Sequence, residues 1–298
     1  ELSTKLTVGY DLSAGQAVVY FPPATPGTNP FTARASFDYD NTKGLMAEGR
    51  PIYKNLTVDW TGQFNREINP DLSSTSSVGL QYLKNSVQRT ETYGQDLGAA
   101  GVRSINAAAI TWGDQSFSEQ KSLGVSAQEQ VAWRDRLFVT SAVRMDNNSA
   151  FGSELNRVFY PKVSASWVIS DEDFYPESLG RLKLRAAWGQ AGRAPGAFDA
   201  VKTWQALSWG GSAYRTSQLG NPDLGPERTT ETELGFDASF LDERLSVEFS
   251  HFYQKVTDAL FNVTPPPSGG FLNSQLANVG ETENSGIELS VNFEALQG

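Results

Sequence analysis

The feature that most constrains the fold is a two-residue alternation of apolar and polar side chains. It is clearest in residues 221–240, where a loop rich in proline and glycine precedes a strand pattern. Leu234 and Phe236 fall on one side of this strand, and Glu233 and Asp237 fall on the other. Successive side chains of a strand point to opposite faces, so the pattern predicts a sheet with one apolar and one polar face.

The same alternation recurs about eleven times along the chain, which predicts an all-β, antiparallel fold. No stretch has the period of a long amphipathic helix, and residues 106–110 are expected to form at most one or two turns. The predicted strands are 2–12, 33–40, 56–64, 78–82, 123–127, 137–145, 163–169, 182–189, 229–240, 245–250 and 287–294, with 201–207 as a possible twelfth.

The connections between the predicted strands alternate in length from the middle of the chain onward. Residues 241–244 form a short turn, whereas residues 93–117, 190–228 and 260–284 are long. Outer-membrane barrels have short periplasmic turns and longer external loops, so this asymmetry favours a transmembrane barrel. The connection around residues 21–31 departs from the pattern, because it is long where a short one is expected.

Composition excludes several classes of protein. The chain has no cysteine, which excludes a disulfide scaffold and a zinc site with Cys ligands. Its net charge of −10 argues against a nucleic-acid partner, since phosphate binding needs clustered Lys and Arg. There is no run of about 18 apolar residues, so no transmembrane helix is predicted; the strands of a membrane barrel need only about 9–11 residues each.

Several blocks of sequence resemble the barrel of TonB-dependent outer-membrane receptors. They are NPDLGPERTTETELGFDASF, RLSVEFSHFYQKVTDAL and NVGETENSGIELSVNF. RDRLFVTSAVRMDNNSAFG, FYPKVSASWVISDEDFY and LKLRAAWGQAG are more specifically similar to the SusC/RagA-like branch of that family. The resemblance covers residues 134–293, and the first 130 residues fit by strand pattern only.

The resemblance implies a 22-stranded barrel, of which this chain supplies about 11–12 strands. Residues 1–298 are therefore expected to be part of a single outer-membrane β-barrel domain, with no plug domain and no TonB-binding segment visible in them. The implied function is active nutrient uptake across the outer membrane of a Gram-negative-type bacterium. Oligosaccharides or peptides are the implied cargo, ahead of siderophores.

The implied partners are the TonB, ExbB and ExbD energy-coupling system, a SusD-like surface lipoprotein and outer-membrane lipid. An alternative from a different class is a soluble, secreted β-sheet protein that binds glycans. A soluble sandwich also alternates apolar and polar residues, with its apolar face inward. The two hypotheses differ in where the apolar face lies, which is against lipid in the first and in a core in the second.

Candidate ligand contacts are the aromatic residues of the long loop 190–228, namely Trp204, Trp209 and Tyr214. Their rings are suited to stacking on a ligand; the alternative is that they pack the loop onto the barrel mouth or lie at the lipid interface. The barrel hypothesis also directs a set of charged residues into a polar lumen: Lys5, Asp59, Lys183, Arg185, Glu231 and Glu233.

No catalytic or metal-binding motif emerges, so neither enzyme activity nor a cofactor is predicted. The acidic triplet at residues 171–173 is expected to be a solvated turn. The oxygen-rich groups at residues 38–41 and 146–148 lack the spacing of an EF-hand loop. His251 is the only histidine, so no histidine-based metal site can be built around it.

Overall fold

The computed structural model describes residues 1–23, 43–152, 157–208, 212–241, 243–270 and 273–295. In these ranges the chain forms thirteen β-strands and four single-turn 3-10 helices, and no helix in them is long and apolar enough to cross a membrane. The strands are Leu2–Ala14 (β1), Ala17–Phe21 (β2), Leu45–Asn69 (β3), Leu72–Leu97 (β4), Ala108–Trp133 (β5), Leu137–Asn148 (β6), Val158–Val168 (β7), Arg181–Arg193 (β8), Thr203–Ser208 (β9), Ser212–Gln218 (β10), Glu227–Phe240 (β11), Leu245–Val263 (β12) and Gln275–Phe293 (β13). The 3-10 helices are Ile105–Ala107, Ile169–Asp171, Glu177–Leu179 and Pro267–Gly269.

Eleven strands form one sheet in the order β1-β3-β4-β5-β6-β7-β8-β11-β12-β13, with β2 also paired to β3. β9 and β10 form a separate antiparallel hairpin. The described pairings of the large sheet are antiparallel, which confirms the predicted fold class. The strand predicted at residues 33–40 lies outside the described residues. The eleventh strand of the sheet is instead β2, which the sequence pattern did not reveal.

A proline explains why β1 and β2 are separate strands. Both pair with β3, and the backbone N–H of Gly15, between them, donates to the carbonyl of Pro51 in β3 (2.9 Å). Pro51 has no N–H of its own, so it cannot return a hydrogen bond to the neighbouring strand. The ladder is interrupted at this point and resumes where Ala17 pairs with Gly49.

Several strands are longer than predicted. β4 continues to Leu97 and β5 begins at Ala108, so most of the long connection predicted at residues 93–117 is strand. Likewise β12 and β13 reach Val263 and Gln275, well inside the predicted loop 260–284. In these strand ends apolar residues such as Ile110, Trp112 and Phe261 are interspersed with polar ones and do not keep to a regular two-residue alternation, which weakens the sequence signal. Their backbone groups still pair with the neighbouring strands, and pairing requires no particular side chain.

Short and long connections alternate from β3 to β7 and again from β11 to β13, whereas the β7–β8 connection, residues 169–180, is long where the alternation requires a short one. Residues 70–71, 134–136 and 241–244 are short, whereas residues 98–107, 149–157 and 264–274 are longer. The β5–β6 connection is a tight turn in which Arg134 and Asp135 both have φ of 53° and Arg136 N donates to Trp133 O. Positive φ at both central residues is the signature of a type I′ turn, whose twist matches that of paired strands.

The sheet has one apolar and one polar face, as the alternation predicted. Leu184, Phe236 and Phe249 are register partners on three neighbouring strands, and the two phenyl rings stack with centroids 5.4 Å apart. The adjacent register set, Lys183, Asp237 and Glu248, lies on the opposite face. Large side chains on the apolar face remain exposed, for example Leu289 at 66%, which suits a surface in contact with lipid.

The described chain divides into two compact units. The first unit comprises residues 1–7, 58–82 and 121–298, and it contains β6 to β13. The second unit comprises residues 8–57 and 83–120, and it contains β2 with parts of β1, β3, β4 and β5.

The loop before β11 is a junction within the first unit. Leu224 is fully buried, and its carbonyl accepts a hydrogen bond from the N–H of Gly152 (2.9 Å). Asn278 binds both backbone groups of Gly225, the residue after Leu224. Its side-chain oxygen accepts a hydrogen bond from Gly225 N (2.9 Å), and its Nδ2 donates to Gly225 O (3.0 Å). A side chain at position 152 would collide with the backbone of Pro222. The predicted turn pairs therefore form a loop that closes onto the β6–β7 connection and onto the first residues of β13.

We expect Leu289→Arg to destabilise the intact protein in lipid by about 2–4 kcal/mol, because it places a charge on the apolar face. Ser290→Arg is the matched control, since Ser290 is the next residue of β13 and faces the opposite way. The measurement is the urea midpoint of the folded barrel in vesicles. Equal midpoints for the two variants would show that the apolar face does not contact lipid.

Candidate functional site

The β9–β10 hairpin brings together two of the three aromatic residues selected from the sequence. Thr216 pairs with Trp204 and Tyr214 pairs with Ala206, so the indole and the phenol lie diagonally on the same face of the hairpin. Trp204 is 55% exposed and Tyr214 is 72% exposed. The third residue, Trp209, lies outside the described residues. We call the face that carries Trp204 and Tyr214 the hairpin aromatic face.

Charged side chains flank this face. The ammonium of Lys202 lies 5.6 Å from the centre of the Trp204 ring, within the range of a cation–π interaction. On the opposite face of the hairpin, Arg215 donates twice to the side-chain oxygen of Gln205, at 2.9 and 2.6 Å. This cross-strand pair fixes the register of the hairpin and leaves the aromatic rings on the other side.

Side-chain hydrogen bonds hold the hairpin against the connection between β12 and β13. Thr216 Oγ1 donates to the carbonyl of Gly270 (2.8 Å), and Asn273 Nδ2 donates to the carbonyl of Ser217 (2.6 Å). Gln275 Nε2 donates to the carbonyl of Gly220 (2.8 Å). The aromatic face is therefore presented by a hairpin with defined anchors rather than by a free loop.

The polar face of the sheet carries a charge network centred on Arg185 of β8. Its guanidinium contacts Asp237 (Nε–Oδ1, 3.0 Å) and Glu233 (Nη1–Oε1, 3.3 Å) on β11, and Ser250 (Nη2–Oγ, 3.3 Å) on β12. Ser250 also donates to Glu233 (3.1 Å), and Lys183 lies 3.8 Å from Asp237. Three of the residues predicted to share a polar face, Lys183, Arg185 and Glu233, are thus brought together.

A glycine makes this network possible. Gly235 lies between the Arg185 and Ser250 positions in the register of the three strands. A Cβ at position 235 would stand 2.6 Å from the carbonyl oxygen of Phe249 and 3.3 Å from Nη2 of Arg185. The absence of a side chain on β11 therefore lets the guanidinium cross the strand and reach β12.

A second network on the polar face follows the same construction. Gln81 of β4 donates to Asp59 of β3 (2.8 Å) and accepts from Arg144 of β6 (2.8 Å), which also donates to Asp146 (2.8 Å). Arg144 must pass over β5 to reach Gln81, and it does so at Gly124, where a Cβ would collide with the guanidinium. The predicted inward residue Asp59 belongs to this second network.

Next to the second network is a groove of about 780 Å³ within the first unit. Its floor consists largely of small residues, including Gly79, Ser126 and Ala142, and Lys5 and Lys162 line its sides with Arg144. Lys5, which the sequence predicted to face inward, therefore lines this groove. Glu231, the remaining predicted residue, accepts a hydrogen bond from Gln254 (3.0 Å).

The acidic triplet at residues 171–173 is more than a solvated turn. Trp167 Nε1 donates to Glu172 (3.0 Å), and Arg136, from the turn between β5 and β6, lies 3.2 Å from the other carboxylate oxygen. These hydrogen bonds, that from Trp167 first, hold the pKa of Glu172 below its ordinary value of 4.5. Glu172 thus links the β7–β8 connection, in which it lies, to the β5–β6 turn that carries Arg136.

No metal-binding or histidine-centred site was found where the structure describes the chain. No group of three potential metal ligands among His, Asp and Glu converges in the described ranges. His251 is on the apolar face, opposite Leu234, and its Nδ1 lies 3.2 Å from the carbonyl oxygen of Phe252. The side chains that converge in the described ranges form charge networks and aromatic faces. The charge networks link neighbouring strands of the sheet, and the aromatic faces are suited to binding a ligand.

Comparison with known proteins identifies the class. Residues 2–297 match the family described as TonB dependent receptor-like, beta-barrel. TonB-dependent receptor P26 of Formosa agariphila is 30% identical over 266 residues, which cover 85% of this chain and 26% of that protein. TonB-dependent receptor SusC of Bacteroides thetaiotaomicron is 30% identical over 175 residues, which cover 54% of this chain and 17% of that protein.

The solved structure of the RagAB peptide transporter superposes with a TM-score of 0.87 at 19% identity, covering 100% of this chain and 32% of that chain. The chain spans about a third or less of the length of these relatives. The chain belongs to the TonB-dependent receptor-like β-barrel family. The predicted family and the outer-membrane location are confirmed, and the similarity to SusC agrees with the predicted SusC/RagA-like branch.

We expect Gly235→Ala to destabilise the barrel by about 1–3 kcal/mol, because the added methyl group overlaps the Phe249 carbonyl and displaces Arg185. The measurement is the urea midpoint of the intact receptor. Gly98→Ala is the control, since no atom lies within 4 Å of a Cβ at that position. If the two variants unfold at the same urea concentration, the crossing of β11 by Arg185 is not tightly packed.

Glu172→Gln is expected to lower stability at pH 7 and to have a progressively smaller effect below pH 4.5. The folded-state pKa is lowered, so the stabilisation is complete above the unfolded value of 4.5 and is lost as pH falls through the lower folded value. Urea midpoints of wild type and variant at pH 7 and pH 3 measure this difference. A pH-independent effect of Glu172→Gln would contradict the charge contribution.

Proposed function

We propose that this chain forms part of the barrel wall of an outer-membrane receptor that takes up a nutrient actively. The observation that carries the proposal is the family match over residues 2–297, on a sheet with one apolar and one polar face. The relatives are receptors, and one solved relative is named as a peptide transporter. The cargo proposed here is an oligosaccharide or a peptide, with a siderophore as the weaker candidate.

The proposal gives the residues of this chain wall and binding roles rather than chemical ones. Residues 1–298 would be part of a single barrel domain, with the apolar face against lipid and the charge networks of the polar face directed to the lumen. Energy for uptake would come from TonB with ExbB and ExbD, and a SusD-like surface lipoprotein would cover the external side. Family membership and the likeness to SusC and RagAB support these partners.

Within this function, the hairpin aromatic face is the proposed point of cargo contact. Trp204 and Tyr214 are exposed and lie on one face, and Trp209 is included on the basis of its place in the sequence between the two strands. Aromatic rings bind the flat faces of sugars and side chains without requiring one particular hydrogen-bond pattern. The anchors to residues 270–275 keep the rings in place, which lowers the ordering cost of binding.

We expect Trp204→Ala combined with Tyr214→Ala to weaken cargo binding by about tenfold or more, since each ring contributes roughly 0.5–1.5 kcal/mol beyond its buried area. The cargo is first identified by applying the purified full-length receptor to glycan and peptide arrays. Calorimetry then compares affinities, and growth on that cargo as the sole carbon or nitrogen source reports uptake.

Phe198→Ala is the matched control, because Phe198 is an exposed aromatic residue of the same connection outside the hairpin.

A strain without TonB should bind the cargo at the cell surface but fail to accumulate it. Uptake that persists without TonB would refute active transport. Unchanged affinity in the double variant would refute the hairpin contact alone.

A further inference from the structure

A second aromatic platform lies in the second unit. Tyr93 of β4 and Trp112 of β5 stack with ring centroids 5.0 Å apart and planes only 8° from parallel. Trp112 is 45% exposed, so part of its ring is open to solvent. Neither residue belongs to a motif in the sequence, because each falls inside what the pattern predicted to be a loop.

Two carboxylates share the face on which this ring pair lies. Glu91 is two residues before Tyr93 on β4, and Asp114 is two residues after Trp112 on β5, so each lies on the same side of its strand as the neighbouring ring. The Tyr93 hydroxyl donates to Glu91 Oε2 (2.6 Å). Because Tyr93 and Trp112 stack on each other, Glu91 and Asp114 flank the same ring pair from two strands.

The charge of the platform is negative. Arg89 approaches Glu91 only to 3.8 Å, at the outer limit of an ion pair, and half of its side chain is exposed. The Asp114 carboxylate accepts a hydrogen bond from the adjacent backbone N–H of Gln115 (2.8 Å), and it forms no ion pair with another of the described residues. Two carboxylates against one guanidinium leave a net charge of about −1 beside the rings.

The platform is also open on the β3 side. Gly49 is the β3 residue that faces Glu91, since a Cβ built there would lie 3.9 Å from Glu91 Cγ. That distance is ordinary van der Waals contact, and glycine provides no side chain to cover the carboxylate. A ligand group therefore has access both to the indole ring and to the adjacent acids.

We propose that Glu91, Tyr93, Trp112 and Asp114 form a binding subsite for an organic cation, such as the ammonium or guanidinium group of a basic peptide. A cation is attracted to the negative face of an aromatic ring, most strongly to that of tryptophan, and the two carboxylates add a Coulombic attraction. A neutral sugar ring would stack on Trp112 but would gain nothing from the net negative charge. An acidic ligand would be repelled.

This subsite deepens the proposed uptake function, on which its biological use rests, by selecting cationic groups among the possible cargoes. The binding itself is measurable without transport.

The test is calorimetry on the purified full-length receptor with three probes of similar size: trilysine, triglutamate and maltotriose. Trilysine is expected to bind more tightly than the other two, and its affinity should fall as salt is added, because exposed charges are screened. Trp112→Leu and Asp114→Asn should each weaken trilysine binding by about fivefold. Asp114→Asn should in addition reduce the salt dependence, which a purely structural role would not change.

Phe117→Leu is the control variant, since Phe117 is an exposed aromatic residue of β5 outside the platform, and it should bind trilysine as wild type does. Equal binding of trilysine and triglutamate, or trilysine binding unaffected by Trp112→Leu, would overturn the subsite. Maltotriose binding that is lost in Trp112→Leu would replace the cation with a sugar. None of these outcomes bears on TonB-dependent accumulation, so the uptake proposal is tested separately.

Discussion

Backbone hydrogen bonding between neighbouring strands is the constraint on which the rest of this structure depends. A strand that crosses lipid has no water to satisfy its N–H and C=O groups, so each must find a partner on the next strand. β11 shows this directly, because it pairs residue by residue with β8 on one side and with β12 on the other from end to end. Where one donor is missing, at Pro51, the neighbouring strand is divided into β1 and β2.

The backbone groups of the sheet are used in hydrogen bonds between neighbouring strands. Further links between strands on the polar face therefore come from side chains that extend across a strand. Arg185 and Arg144 each extend over a strand that has glycine at the crossing point, Gly235 and Gly124. The missing side chains allow one arginine to connect three strands in a flat layer. Such a layer satisfies charges pairwise on a surface that would otherwise present unpaired acids and bases.

The sequence allowed the strands and their two faces to be predicted wherever one side meets an apolar environment. Leu184, Phe236 and Phe249 occur at the period of a strand, and the structure places them in register. The ends of β4, β5, β12 and β13 were missed because their apolar and polar residues are mixed without a regular two-residue alternation, so the periodic signal is weak there. Fold class was therefore accessible from the pattern, and strand length was not.

Some residues of the candidate sites could be selected from the sequence, and others could be recognised only from the structure. Trp204 and Tyr214 were selected because aromatic residues are conspicuous in a polar loop, and the structure places both on one face of a hairpin; their role as cargo contacts stays a prediction. Tyr93 and Trp112 are nineteen positions apart in sequence, and only the pairing of β4 with β5 brings their rings together. The role of Glu172 was equally hidden, since Arg136 comes from a different turn. Contacts between turns that are far apart in sequence cannot be recognised from the residues around either turn.

The anchoring of the β9–β10 hairpin has a consequence for how such a receptor diversifies. Its ties to residues 270–275 end on the carbonyl oxygens of Gly270, Ser217 and Gly220. Every residue offers a carbonyl oxygen, so these acceptors survive most substitutions at their own positions. The ties from Asn273 and Gln275 use no side chain of the hairpin, so they would remain if Trp204 and Tyr214 were exchanged. The third tie depends on the hydroxyl of Thr216, which would have to be retained. Substitutions that change the bound cargo would then occur in the hairpin, while the sequence of the barrel strands stayed the same.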